Sequence, residues 1–355
     1  MTEYRYAIDL LAEDGRPLGR VAVRPDWRAA LGWVHFEGIR EGTLRPVTSM
    51  GPGTVEPIWD GRAGKPYVGA FRAAVGDRGV EVVREIPRRY LRGFAAEAFA
   101  GLVEQGVLQP GTPVRYVVVA FPTTERATAH QPDGSGFSVE EVERPLPLTD
   151  APLAAFFGRS VVAEPPEIAG FMPVFVPQRV LDEAVALSRK AADVETGGVL
   201  VGTLHRDSGA GAASAPALFV EITAQIPAPY TLSASTKLTF TADTWQAVQA
   251  ALELRRRDEM MLAWWHFHPD FCRLGECPPE RRQRCTGARP FFSAEDVHLH
   301  ATCFPAAYHT ALLISDGLST GGMTPSLFGW WQGMVVRRGF HVLDGTAPAG
   351  APAGG

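Results

Sequence analysis

Apolar residues recur along the chain with two periods, and the changes from one to the other mark its elements. Arg5 to Leu11 and Val114 to Ala120 read as strands, and Leu91 to Gln105 carries the longer helical period, which predicts a small α+β domain over residues 1–125. From Thr123 to about Pro166 the periodicity fades and Pro, Gly, Ser and Glu dominate, as in HQPDGSG and RPLPLTDAP, so a linker is expected over residues 126–166. The pattern sharpens from Phe171. In VPQRVLDEAVALSRKAADV, residues Val180, Leu181, Ala184, Val185 and Leu187 form a helical face, and the strand-like GGVLVGTL follows a Gly197-Gly198 corner. Leu218 to Ile226 and LTFTA read as strands, and TWQAVQAALELRRR as an amphipathic helix opening near Ala242 with Thr241 or Asp243 as its cap. MLAWWHFHP reads as a buried strand. FFSAEDVHLHATCF predicts a helix with Ser293 at its N-cap and Glu295 and Asp296 in its first turn. HTALLIS, WWQGMVV and RGFHVL are expected as strands closing a second domain over residues 167–345. Residues 346–355, an Ala/Pro/Gly run ending in Gly354-Gly355, are expected to be a disordered tail.

Composition adds a frame. A chain of 355 residues, 46% hydrophobic and 21% charged, can bury two domain cores. Its formal net charge of -5 supplies no general attraction for nucleic acid or anionic membrane, so neither is expected as a partner. The opening residues lack the basic start and apolar stretch of a signal peptide, and no run approaches the roughly 18 apolar residues of a membrane span. A cytoplasmic location is expected. The four cysteines, Cys272, Cys277, Cys285 and Cys303, crowd into one short stretch, which in a cytosolic chain suggests metal binding more than a disulfide framework. The first 120 residues hold no cysteine and one histidine, His35, so a cysteine nucleophile or a histidine-rich metal site is not expected there.

The chemistry concentrates in the second domain. Side chains alternate along a strand, so His266 and His268 project to one face while Trp265 and Phe267 face the other. Neutral imidazoles are common zinc ligands, and a catalytic zinc takes three protein ligands with a fourth position open. Asp296 is placed to be the third. Ser293, three residues earlier, shares its side of the helix. Glu195, directly ahead of the Gly-Gly corner, is the candidate proton acceptor.

Taken in order, ETGGVLVG around Glu195, WHFHP around His266 and His268, and SAEDV from Ser293 through Asp296 resemble the JAMM/MPN-plus (JAB domain) metallopeptidase family. The resemblance spans roughly Phe171 to Asp344 and implies an α/β sandwich of the JAB/MPN type. It further implies that His266, His268 and Asp296 bind Zn2+, that Glu195 takes a proton from the attacking water, and that Ser293 stabilises the oxyanion. Family members cleave after the C-terminal glycine of ubiquitin or a ubiquitin-like protein. The expected function is therefore a zinc-dependent isopeptidase that deconjugates or matures such a protein, alongside E1-like and E2-like proteins of the same pathway. The Ala, Arg and Pro content suggests a high-GC bacterium, and the N-terminal domain would bind substrate or partner. Two other readings stay open: a JAB-family peptidase acting on a sulfur-carrier protein or short peptide adduct, and a non-catalytic MPN-type scaffold.

The sequence departs from the family between H-x-H-P and S-x-x-D, where residues 270–292 form an insertion in place of a short gap. It carries Cys272, Cys277 and Cys285, with His298 and Cys303 soon after. A second, structural zinc held by Cys272, Cys277, Cys285 and His298 or Cys303 could staple it. Some relatives hold a second zinc with a histidine two residues after the aspartate ligand, the position of His298.

Overall fold

The structure, a computed structural model, describes residues 3–61, 65–123, 144–163, 170–209, 217–228, 231–234, 237–275, 278, 290–317 and 322–343. The chain divides into two compact units: Met1–Ile39, Thr43–Leu146 and Gln332–Met334 form the first, and Arg40–Gly42, Pro147–Trp331 and Val335–Gly355 the second.

In the first unit the chain runs through β1 (Tyr4–Leu11), β2 (Pro17–Val23), α1 (Arg28–Arg40), β3 (Gly53–Trp59), β4 (Tyr67–Asp77), β5 (Val80–Pro87), α2 (Arg92–Glu104) and β6 (Arg115–Pro122). Its sheet has the order β2-β1-β6-β4-β3, with β5 also paired to β4. Alternation buries Tyr6, Ile8 and Leu10 of β1 beside Phe71 of β4 and Val118 of β6. Around them Tyr6, Phe71, Trp27 and Tyr90 form a chain of aromatic contacts with centroids 4.8–5.8 Å apart. The β4–β5 turn needs two left-handed residues, supplied by Arg78 (φ 46) and Gly79 (φ 86).

The second unit contains β7 (Thr149–Asp150), α3 (Leu153–Phe157), β8 (Ser160–Ala163), β9 (Val174–Pro177), α4 (Gln178–Ala191), β10 (Gly197–Asp207), β11 (Ala217–Pro227), β12 (Thr231–Ala234) and β13 (Lys237–Phe240). It continues with α5 (Ala242–Arg255), β14 (Met260–His268), α6 (Phe271–Leu274), α7 (Ala294–Cys303), β15 (Thr310–Gly317), β16 (Gly322–Trp331), β17 (Met334–Arg338) and β18 (Phe340–Leu343). Ten strands make one sheet, ordered β17-β16-β15-β14-β10-β11-β9-β18-β8 with β7 on β10, while β12 and β13 pair separately. Both units thus mix helix with sheet, and strand predominates, an α+β architecture. Among the described residues no helix is long and apolar enough to cross a membrane.

Strand β14 lies inside the sheet, antiparallel to β10 and parallel to β15. Every residue from Leu262 to His268 is buried, as the apolar run demanded. Trp264 packs into a cluster with Val199, Val248, Phe304 and Ala311. The Gly-Gly corner is required sterically at Gly198, where a Cβ would lie 2.4 Å from the Ile226 carbonyl oxygen and 2.7 Å from Trp265 Nε1. Gly198→Ala is expected to destabilise the fold by about 1–3 kcal/mol, as overpacking does. A urea midpoint equal to wild type would contradict this.

Three expectations are corrected. The linker over 126–166 is not a connection throughout, because Thr149–Ala163 supplies β7, α3 and β8. Residues 124–143 and 164–169 lie outside the described residues. Partners in the sheet order this segment: Arg206 pairs with Asp150 at 2.8 and 3.0 Å, Asp207 accepts the Leu153 N–H at 2.9 Å, and Phe156 packs on Phe175 and Phe219. Elements this short show no period of their own. WWQGMVV is likewise two strands rather than one, broken by a two-residue turn at Gln332 (φ 52) and Gly333 (φ 75). The second unit also begins at Pro147, ahead of the expected start at 167.

Candidate metal centre

His266 and His268 leave β14 on the same face, and their Nε2 atoms lie 3.1 Å apart. The third member comes from the start of α7. Ser293 caps this helix reciprocally: its Oγ accepts the Asp296 N–H at 3.1 Å, and Asp296 Oδ2 accepts the Ser293 N–H at 2.7 Å. The capping geometry turns the Asp296 carboxylate toward the imidazoles, with Oδ1 at 3.3 Å from His266 Nε2 and Oδ2 at 3.5 Å from His268 Nε2. All three residues are buried, and they are the cluster among the described residues that could hold a metal ion.

The donor separations test the fit. Ligand atoms about 2.0–2.1 Å from a tetrahedral ion lie about 3.3 Å from one another. The two imidazole nitrogens, 3.1 Å apart, are close to that value, and the carboxylate comes within 3.3 Å of His266 through Oδ1 and 3.5 Å of His268 through Oδ2. One carboxylate and two imidazoles also form a donor set that suits zinc. Neither Nδ1 has a hydrogen-bond partner among the described residues, so aromatic packing orients the rings. Trp264 stacks on His266 at 4.5 Å and 15°, Phe292 meets it edge-on at 5.7 Å, and Phe271 and Phe291 flank His268 at 5.2 and 4.9 Å.

Glu195 stands at the edge of this cluster, its Oε1 4.0 Å from His268 Nε2. The hydrogen bonds from Phe267 N to Thr196 O (2.8 Å) and from Ala228 N to Gly197 O (3.1 Å) fix the chain just after it. Burial, and then the charges of Asp296 and Glu295, push its carboxyl up to about 8. Burial also works to raise Asp296, but His266, His268 and the Ser293 N–H outweigh it and hold that carboxyl well below the usual range. His268 is pushed down, by burial first and His266 next, against the pull of Asp296. Two buried carboxyls thus differ in proton affinity: burial, reinforced by two carboxylates, raises Glu195, whereas the imidazoles bonded to Asp296 outweigh the same burial there.

Ser293 is half-buried. Its oxygen serves the cap as acceptor, which leaves its O–H proton to be donated elsewhere. Ser293→Ala is expected to cost about 1 kcal/mol of stability, and Ser293→Thr to keep most of it. Equal thermal midpoints for the Ala variant and wild type would contradict the capping role.

Beneath the cluster, Trp264 Nε1 donates to His300 Nδ1 at 3.1 Å, a contact between two buried residues that neither motif reveals by itself. Spacing does carry a signal, since Trp264 precedes His266 by one strand repeat and His300 follows Asp296 by one helical turn. Burial, helped by His309, pushes the His300 pKa down to about 3. An unfolded chain protonates this imidazole near pH 6.5, whereas the folded one resists until about pH 3. Stability that is complete above pH 6.5 is therefore expected to fall as pH drops through that window, by at most about 1.4 kcal/mol per pH unit for this group. Urea unfolding of wild type and His300→Leu at pH 7 and pH 5 checks it: the variant should lose less on acidification.

Of the residues considered for a second zinc, Cys272 is buried in α6, and His298 and Cys303 are exposed on α7. Cys277 and Cys285 lie outside the described residues, as do residues 276–277 and 279–289 of the insertion and the tail with Gly354-Gly355. Among the described residues, then, the metal candidates reduce to the cluster on β14 and α7.

No family model matches the chain, and no curated protein matches it. Among solved structures it is similar to the solution structure of protein DSY2949 from Desulfitobacterium hafniense, at 22% identity and a TM-score of 0.31, covering 48% of this chain and 92% of that one.

Proposed function

We propose that this protein is a zinc-dependent isopeptidase of the JAMM/MPN-plus kind, with a JAB-type catalytic unit, that cleaves after the C-terminal glycine of a ubiquitin-like protein. The observation that carries the reading is the convergence of His266, His268 and Asp296 at ligand-to-ligand spacing, with the raised Glu195 carboxyl beside them. A non-catalytic scaffold gives no reason to bury such a carboxyl beside His268 at a cost in solvation.

Zinc, when bound, supplies Lewis-acid polarisation and makes water a nucleophile at neutral pH. His266, His268 and Asp296 hold it. Glu195 accepts the proton of the attacking water and returns it to the leaving amine, a role its buried carboxyl can fill from the edge of the cluster. A cation held by His266, His268 and Asp296 would favour the ionised, proton-accepting form of Glu195. The Ser293 hydroxyl donates to the developing oxyanion.

Metal analysis of the purified chain should give zinc bound at the His266–His268–Asp296 centre. A fusion of a ubiquitin-like protein ending in Gly-Gly to a C-terminal peptide should be cut after the second glycine, and a chelator should stop the reaction. A protein without metal, or cleavage indifferent to the chelator, overturns the reading.

A further inference from the structure

We infer that Trp264 and His300 form a register pin that sets α7 against β14 and so aligns the metal ligands; His300 is a positioning residue acting through Trp264. The inference rests on the metal reading above. The ligands come from two elements: β14 gives His266 and His268, and α7 gives Asp296. Displacing a helix by one residue along its axis moves a side chain by about 1.5 Å, whereas metal–ligand distances tolerate about 0.2 Å. The capping box joins Asp296 to the start of its own helix and does nothing to join that helix to the strand.

The Trp264–His300 hydrogen bond does make that join. Trp264 and His266 share a face of β14, and Asp296 and His300 share a face of α7. Strand and helix are therefore bridged at two levels, by Asp296 with His266 at 3.3 Å and His268 at 3.5 Å, and by Trp264–His300 at 3.1 Å. The second bridge is wholly buried, with Trp264 1% and His300 0% exposed, where water does not compete for the bond. An indole N–H only donates, so His300 Nδ1 is the acceptor and the ring proton sits on Nε2. That Nε2 is buried with no hydrogen-bond partner among the described residues. An apolar side chain would avoid this desolvation cost among Phe292, Phe304 and Trp330, so a histidine here serves the hydrogen bond rather than the packing. The same indole stacks on the His266 ring at 4.5 Å, which passes its fixed position to the ligand.

The test uses the full chain as wild type, Trp264→Phe, His300→Leu and His300→Asn, the last offering an amide oxygen where Nδ1 stood. Zinc affinity is read by competition with a chromophoric chelator, ligand geometry by the absorption bands of the cobalt(II)-loaded protein, and folding by thermal midpoint. Trp264→Phe and His300→Leu should bind zinc about tenfold or more weakly, as loss of an outer-shell partner does, with altered cobalt bands. His300→Asn should recover both. Wild-type affinity and bands in Trp264→Phe and His300→Leu overturn the inference, as does lowered stability with metal binding unchanged, which assigns the pair to the core. Should His300→Leu fail to fold, Trp264→Phe, which keeps an aromatic ring in place, decides by itself. A wild-type chain that takes up no metal sinks the metal reading together with this one, whereas unaltered variants of a metal-loaded protein sink this one alone.

Discussion

Glu195→Gln is expected to retain wild-type metal content while turning over a Gly-Gly-terminated fusion about 10²–10⁴-fold more slowly, the range associated with loss of a general base. The amide has the shape of the carboxyl but cannot take a proton. Glu195 stands outside the His266–His268–Asp296 group, 4.0 Å from His268 Nε2, so its replacement should leave those three residues undisturbed. Because burial and two neighbouring carboxylates raise this group to about 8, the amide also removes an electrostatic burden, and the variant should be no less stable than wild type. Turnover and zinc content are measured on the same preparation. Undiminished turnover would exclude Glu195 as the base, and loss of zinc would make it a ligand instead.

Metal removal should carry the second large effect. A ligand that binds only the folded chain, present at a thousand times its dissociation constant, stabilises it by about 4 kcal/mol. Chelation is expected to remove that contribution, visible as a lowered thermal midpoint. Asp296→Ala should unfold at the same temperature with and without chelator. It should also fall below metal-free wild type, because the substitution deletes one arm of the reciprocal cap as well as a ligand. A midpoint in wild type that does not respond to chelation contradicts the expectation.

How much of this was legible in the sequence varied with the range of the interaction. The run MLAWWHFHP announced a buried strand because burial on both faces leaves no polar alternation, and Ser293 announced a helix start because a cap is a contact within a few residues. The grouping of His266, His268 and Asp296 was legible through the same local rules plus the resemblance. The β7–α3–β8 segment was not, since its order comes from Arg206, Asp207 and Phe219, distant in the chain. The turn at Gln332-Gly333 was masked by apolar residues on either side. The Trp264–His300 bond joins residues 36 apart, so neither one's neighbours mark it. The raised Glu195 carboxyl needs burial and two other acids in space, which spacing alone cannot supply.

The reciprocal cap at Ser293 and Asp296 has a consequence for how this protein can diversify. A helix that secures its own first turn needs no help from the residues leading into it, and the strand on the other side ends at His268, held by β10 and β15. Both borders of the 270–292 stretch are thereby anchored, with Phe271 at one end and Phe291 and Phe292 at the other packed on the two histidines. Doubling a loop's length costs only about 0.6 kcal/mol in closure entropy. The residues between Leu274 and Phe291 can lengthen, shorten or be exchanged as a module while the donor atoms, and the aromatic rings that orient them, stay where they are.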